Sequence, residues 1–375
     1  MNEFDYKVKY WNPKGNYLAI ESEIDLAVKE VLKSGEYILG PAVEEFEKSL
    51  ASYVGTKYAV GVNSGTDALK IALRAAGIKE GDEVITVSHT FIATIEAIED
   101  YCRAKAVLVD IDENWLMDVE DVKRKITPKT KAIIPVHLSG DVCNMTELQK
   151  IADEHNLIII EDAAQGMGAT WEGKRAGSFG TAGCFSFFPA KIFGSYGDAG
   201  AITTNDTNLY EKFKMLRNHY YIGKSLGIEQ ETVQYGINSR LNTICAAILN
   251  VKLKYIDKYL GHRKWAADLY TEGFKDLPII LPSQRQGRVW QDYIIRVPER
   301  RNELAKFLDD NGIKVRGHDL IPNHFYKGLG LSADLPKTEG YTFEFLRLPL
   351  SSEIEEWEIK EVISTIRKFY EKSSL

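Results

Sequence analysis

Lys191 lies in Phe185-Ser-Phe-Phe-Pro-Ala-Lys-Ile-Phe-Gly194, a setting too apolar for an ordinary solvated lysine, and upstream of it a strand-like run ends in Glu161-Asp-Ala-Ala-Gln165. A primary amine can hold an aldehyde cofactor as a Schiff base, and desolvation makes that amine a better nucleophile. A carboxylate can keep a pyridine nitrogen protonated, so that the ring accepts electrons from a substrate carbanion. The pair Lys191 and Asp162 therefore points to a pyridoxal phosphate site. Asp162 follows three consecutive isoleucines, which puts it at the carboxyl end of a buried strand, where open α/β sheets bind their ligands. A buried carboxylate needs a partner, and a ring N–H⁺ would supply one. The small Ala164 would let a flat ring approach the backbone, and Gln165 could reach the ring hydroxyl.

The cofactor's phosphate needs its own partners. Asn63-Ser-Gly-Thr-Asp-Ala-Leu69 lies between a strand pattern and a helix pattern. A glycine at a helix start lets backbone N–H groups face an anion, and the helix dipole favours negative charge there. Taken alone, this turn reads more readily as a simple cap, since Ser-Gly-Thr turns are common at helix starts. Ser186, five residues before Lys191, offers a further hydroxyl, and Gly194, Gly197 and Gly200 supply a loop of close approach. Phe91, after the strand pattern ending at Val87, is placed to stack on the ring or to fill the core. Gly168-Ala-Thr-Trp-Glu-Gly-Lys174 imitates a P-loop but has Arg175 where Ser or Thr belongs. His137, inside an apolar run, reads as a satisfied core histidine.

These residues need a scaffold. The runs 58–62, 83–87, 105–111, 131–138, 157–161 and 184–188 are short, β-branched and separated by helical patterns, which predicts a mainly parallel sheet covered on both faces. Asn144-Met-Thr-Glu147 carries a helix start signal. From about Asn242 a long helical pattern runs towards Tyr270, followed by a strand at 289–297, a helix around 302–309 and an amphipathic helix from Ile354 to Tyr370. The fold class is thus α/β, with a large domain over 1–255 that includes the N-terminal segment, and a smaller C-terminal α/β domain over 256–375. The chain has 375 residues, 47 Lys+Arg and 54 Asp+Glu, for a net charge of −7. That balance offers no basic field for nucleic acid. Cys102, Cys143, Cys184 and Cys245 are far apart with no C-x-x-C pair, which predicts buried free thiols, no metal site and a cytoplasmic setting. No apolar run is long enough for a membrane span, and the start has no apolar leader pattern.

With these segments in order, the chain resembles the DegT/DnrJ/EryC1/StrS family of nucleotide-sugar aminotransferases, which belong to the fold type I, aspartate aminotransferase-like, pyridoxal phosphate enzymes. The resemblance rests on Ser34-Gly-Glu-Tyr-Ile-Leu-Gly-Pro41, Gly61-Val-Asn-Ser-Gly-Thr-Asp-Ala-Leu69, Gly81-Asp-Glu-Val-Ile85, Ile133-Ile-Pro-Val-His-Leu138, the Asp162 and Lys191 motifs, and Gly236-Ile-Asn-Ser-Arg-Leu241. It implies that Lys191 carries the cofactor, Asp162 pairs with the pyridine nitrogen, Gln165 meets the ring oxygen and Phe91 stacks on the ring. Gly65, Thr66 and Ser186 would hold the phosphate. Asn238 would reach the phosphate of the neighbouring subunit's cofactor, with Arg240 close by, so the active unit would be a homodimer with shared sites. Gly317-His-Asp-Leu-Ile-Pro-Asn-His324 resembles a stretch whose histidines approach the nucleotide sugar, which implicates His318 and His324. Departures from the family pattern are Asp319 for Tyr, Ile192 for Asn, Tyr220 for Gly, Asn242 for Asp and Cys245 for Gln.

The resemblance implies a ping-pong reaction in which L-glutamate donates its amino group and a keto sugar accepts it, in amino-sugar biosynthesis. The loop Gly194-Ser-Tyr-Gly-Asp-Ala-Gly200 looks more like that of members acting on nucleotide-linked 3-keto sugars than of those acting at C4. A 3-keto uronate and a non-nucleotide keto sugar remain alternatives at this point. So do a related sugar dehydratase, against which Lys191 argues because that enzyme carries His there, and a cofactor-binding regulator.

Overall fold

The computed structural model describes residues 6–221, 232, 234–317 and 320–371. Seven strands form the central sheet: β1 (Tyr58–Val62), β2 (Glu83–Val87), β3 (Lys105–Val109), β4 (Thr130–Ile134), β5 (Ile158–Asp162), β6 (Ala182–Ser186) and β7 (Gly200–Thr204). Their spatial order is β1-β7-β6-β5-β4-β2-β3. The pairs from β6 across to β3 are parallel, whereas β7 runs antiparallel to both β1 and β6. The run at 200–204, not marked as a strand from the sequence, is this antiparallel member.

The period-2 geometry of strands explains why these runs are apolar throughout. Ile85, Val87, Ile133 and Ile159 enter one core layer. Their neighbours Val84, Ala132, Ile134 and Ile160 point to the other. Helix α1 (Gly65–Ala75) covers that second face with Ala68, Leu69, Ile71, Ala72 and Leu73. The expected cap at Asn144 forms: its side chain accepts from Glu147 N, starting α2 (Met145–His155).

The helical pattern from 242 is two helices, α3 (Thr243–Leu253) and α4 (Ile256–Phe274). Tyr255 breaks it with non-helical backbone, φ −107° and ψ 2°. Ile256 and Tyr259 at the start of α4 pack into the core under the large sheet. Ala266, Ala267, Tyr270 and Phe274 at its end pack into a separate core with β8 (Tyr293–Arg296), β9 (Phe345–Leu348), α5 (Arg301–Asp310) and α6 (Glu356–Glu371). Within the N-terminal segment, Ile20 and Ile24 pack against Ile248 and Val251 of α3. Val8 is fully buried in the core formed with β8 and β9 and pairs with Ile313.

Candidate active site

The carboxyl ends of β5 and β6 carry Asp162 and Ser186, and the crevice at that edge is where open α/β sheets bind their ligands. Asp162 is the last residue of β5 and 6% exposed. Its Oδ2 accepts from Thr94 Oγ1 at 2.8 Å, and its Oδ1 accepts from Ala164 N at 3.2 Å. Thr94 is in turn bonded to Thr90 at 2.9 Å. The carboxylate is thus held in one orientation by the loop and short helix that follow β2.

Behind it, Glu161 is wholly buried and saturated. Oε1 accepts from Phe179 N and Gly180 N, both at 2.8 Å, and Oε2 accepts from Gly177 N at 2.7 Å. His137 Nε2 lies 3.0 Å from Oε2, and Cys143 N donates to His137 Nδ1 at 3.3 Å. Because Nδ1 accepts, the proton sits on Nε2 and points at Glu161. His137 is the satisfied core histidine expected from its sequence context.

Lys191 is half-buried. Burial lowers its pKa from 10.5; the nearby charges of Asp162 and Asp292 oppose that shift, and Arg347 adds to it. A residue not singled out from the sequence clamps the peptide on both sides of this lysine: Gln291 Oε1 accepts from Ile192 N at 2.9 Å, and its Nε2 donates to Ala190 O at 3.2 Å. The adjacent Asp292 is 4% exposed, accepts from Tyr10 at 2.6 Å and faces Arg347 at 3.5 Å. Burial raises the Asp292 pKa, but Arg347, Tyr10 and Lys191 outweigh it and leave it lowered. A Gln-Asp pair inside an otherwise apolar strand pattern was the signal that could have found both.

At the other end of the crevice, the start of α1 touches the end of β6. A Cβ on Gly65 would lie 2.6 Å from Ser186 Cβ, and one on Gly200 would lie 2.4 Å from Ser64 C. Only glycine permits this approach, which brings the N–H groups of Gly65 and Thr66 beside the Ser186 hydroxyl. Ser64 caps the helix by accepting from Asp67 N. Gln165 Oε1 accepts from Ser139 N at 2.7 Å, leaving its amide N–H groups as donors. Phe91 stands at the crevice mouth, 64% exposed.

Asn238 is exposed, and its neighbour Ser239 is pinned to α1 by bonds to Asp67 (2.7 Å) and Asn63 N (3.1 Å). Arg240 is half-buried and donates to Asn218 at 3.2 Å. His324 is fixed at both ring nitrogens, Nδ1 by Ser88 Oγ at 2.7 Å and Nε2 by Glu339 at 3.3 Å. It braces the loop that carries Phe91. His318 lies outside the described residues. Tyr220, which stands where the family pattern has Gly, has φ 62°, in the left-handed region that favours glycine, and its ring is 8% exposed. Burial of the ring offsets a backbone cost of about 1–2 kcal/mol.

The DegT/DnrJ/EryC1/StrS aminotransferase family model matches residues 18–367. The chain is 38% identical over 373 residues to dTDP-3-amino-3,4,6-trideoxy-alpha-D-glucose transaminase of Streptomyces venezuelae, covering 98% of this chain and 97% of that protein. It superposes with a TM-score of 0.92 on the X-ray structure of Streptomyces venezuelae DesV in complex with a ketimine intermediate, at 39% identity and covering 96% and 98% of the two chains. A further match is the pyridoxal phosphate form of the putative sugar aminotransferase Spr1654 from Streptococcus pneumoniae, with TM-score 0.87, 28% identity, and coverage of 94% and 96%. With this match over nearly its whole length, the chain belongs to the DegT/DnrJ/EryC1/StrS aminotransferase family.

Proposed function

We propose that this protein is a pyridoxal phosphate-dependent aminotransferase that moves the amino group of L-glutamate to a nucleotide-linked keto sugar, at C3, in amino-sugar biosynthesis. The observation that best supports the reading is a pKa-lowered Lys191 that feels the charge of a buried, oriented Asp162, beside a glycine-permitted approach of α1 to Ser186 at the end of the neighbouring strand. The residues fit the cofactor end to end. Gly65 and Thr66 N–H groups with Ser186 suit the phosphate, Gln165 Nε2 the ring oxygen, Asp162 the pyridine nitrogen, and Phe91 a ring face. Membership of an aminotransferase family and the 3-amino-sugar relative support the reaction class and the ring position.

When bound, pyridoxal phosphate supplies the carbonyl and the electron sink that make a substrate C–H bond acidic. The protein supplies the rest. Lys191 Nζ holds the cofactor between turnovers; once displaced, the same amine takes the proton from the substrate carbon and returns it as a general acid. Burial favours this role because it lowers the pKa of the amine. Asp162, held by Thr94 and Ala164, keeps a proton on the ring nitrogen. The second half-reaction reverses these proton movements on the keto sugar.

The active unit in this reading is a homodimer with shared sites, and the setting is cytoplasmic. Exposed Asn238 on a rigidly tied loop supports the first, as do the exposed Phe91 and Phe188 (64% and 50%) beside the crevice. The four cysteines are free thiols, which suits a reducing compartment. We also read the chain as two domains dividing near the start of α4, with Val8 crossing to the smaller one.

The experiment is incubation of the loaded protein with L-glutamate and then with a panel of nucleotide-linked keto sugars. Release of 2-oxoglutarate followed by a 3-amino sugar supports the assignment. No 2-oxoglutarate, or amination only at C4, overturns it in whole or in that detail.

A further inference from the structure

A second lysine lies buried beside the first. Lys252 is 3% exposed, on the inward side of α3. Its Nζ donates to Gly194 O and stands 4.8 Å from the ring centroid of Tyr196. Among the described residues no carboxylate lies within ion-pairing distance of it. The nearest acid whose charge it feels is Glu353, and Glu353 Oε1 already accepts from Asn16 Nδ2 at 2.7 Å. A buried ammonium with one carbonyl and an aromatic face as partners has unused donors and an uncompensated charge. Burial lowers its pKa to about 8, with Glu353 opposing the shift, so the charged form still predominates at neutral pH.

Lys252 does not face sealed protein. It lines a cleft of about 30 Å³ together with Asn16, Lys191, Arg263, Ser352 and Glu353. Arg263 adds positive potential, while its own Nη1 and Nε are spent on Trp290 O, Gln291 O and Ser352 Oγ. A water needs roughly 10–15 Å³ by this measure, so the cleft takes about two water-sized oxygens. That is the footprint of one carboxylate.

On the function proposed above, the substrate that brings a carboxylate next to the Lys191 amine is the amino donor. We infer that Lys252 binds a carboxylate of the amino acid donor in this cleft, with Arg263 adding to the positive field, and so sets the enzyme's affinity for the donor rather than for the sugar. Glu353 acts against that binding as the like charge at the same cleft.

The two half-reactions separate this role from a structural one. In loaded enzyme, Lys252→Met should raise the KM for L-glutamate by about tenfold or more, weaken competitive inhibition by glutarate by the same factor, and leave the KM for the keto sugar unchanged. Lys252→Arg should restore most of the donor affinity. Glu353→Gln should lower the glutamate KM and tighten glutarate inhibition, and this arm decides the matter alone if Lys252→Met fails to fold. Unchanged glutamate KM and glutarate inhibition in the Met and Gln variants would overturn the inference, as would equal losses for both substrates in Lys252→Met. A wild-type enzyme that does not react with L-glutamate would instead overturn the function on which the inference rests.

Discussion

At the scale of single residues, the proposed site depends on an amine with a lowered pKa and a buried carboxylate held in one orientation. Lys191 has a lowered pKa because burial penalises its ammonium more than Asp162 and Asp292 stabilise it. In cofactor-free protein its amine should therefore acylate with a midpoint below the ordinary 10.5, and faster than surface lysines at every lower pH; competitive labelling read by mass spectrometry would show it. Lys191→Ala should cost about 10²–10⁴-fold or more in turnover through loss of the proton shuttle, and remove the cofactor's lysine-bound absorbance. Asp162 owes its orientation to Thr94. Thr94→Val keeps the shape and removes a hydrogen bond to a charged group, commonly about 1.5–3 kcal/mol. The expected result is a lower kcat with nearly unchanged keto-sugar KM, measured by steady-state kinetics. Asp162 and Lys191 were legible in the sequence because their chemistry is rare in apolar surroundings. Thr94 and Gln291 were not, because a hydroxyl or an amide reveals its partner only when distant segments meet.

At the scale of elements, the crevice exists because strand ends and helix starts approach more closely than side chains normally allow. Gly65→Ala would place a methyl group 2.6 Å from Ser186 Cβ, so α1 must shift and the cradle proposed for the phosphate open. The variant should fold, yet retain far less cofactor after gel filtration, and adding Ser186→Gly should relieve the collision without restoring the lost hydroxyl. Glu161 ties β5 to the loop at 177–180 through three backbone N–H groups and to β4's following turn through His137. Glu161→Ala leaves those donors buried and unanswered, at about 1–3 kcal/mol each, which thermal denaturation would register as a large fall in Tm. The apolar strands themselves were readable from their β-branched runs. The antiparallel β7 escaped notice because its glycine-led run carries no periodic signal, and the long helical pattern from 242 concealed the break at Tyr255, where backbone geometry rather than residue type ends the helix.

At the scale of the whole molecule, two cores meet along α4, and the crevice lies at the carboxyl edge of the larger sheet, where Asp292 and Arg347 of the smaller body face Lys191. The exposed Asn238 and the shared-site reading make a definite prediction. Mixing Lys191→Ala protomers with Asn238→Ala protomers under exchange conditions should recover activity that neither parent has, because the mixed dimer assembles one site with an intact lysine and an intact partner asparagine. Absence of recovery, with mixed dimers demonstrated by mass, would confine each site to one chain.

The sequence by itself determined the chemistry and the scaffold: an amine and a carboxylate in apolar surroundings, a glycine at a helix start, and alternating β and α patterns are local facts, fixed by residue type and spacing. Tertiary structure decided what depends on contacts between remote segments. It set the clamp of Gln291 about Lys191, the fixation of His324 by Ser88 and Glu339, the packing of Val8 on the C-terminal core, and the buried ammonium of Lys252 in its cleft. A buried charge has no signature in a string of letters, because its energy is set by the groups that fold around it, and those lie tens to hundreds of positions away.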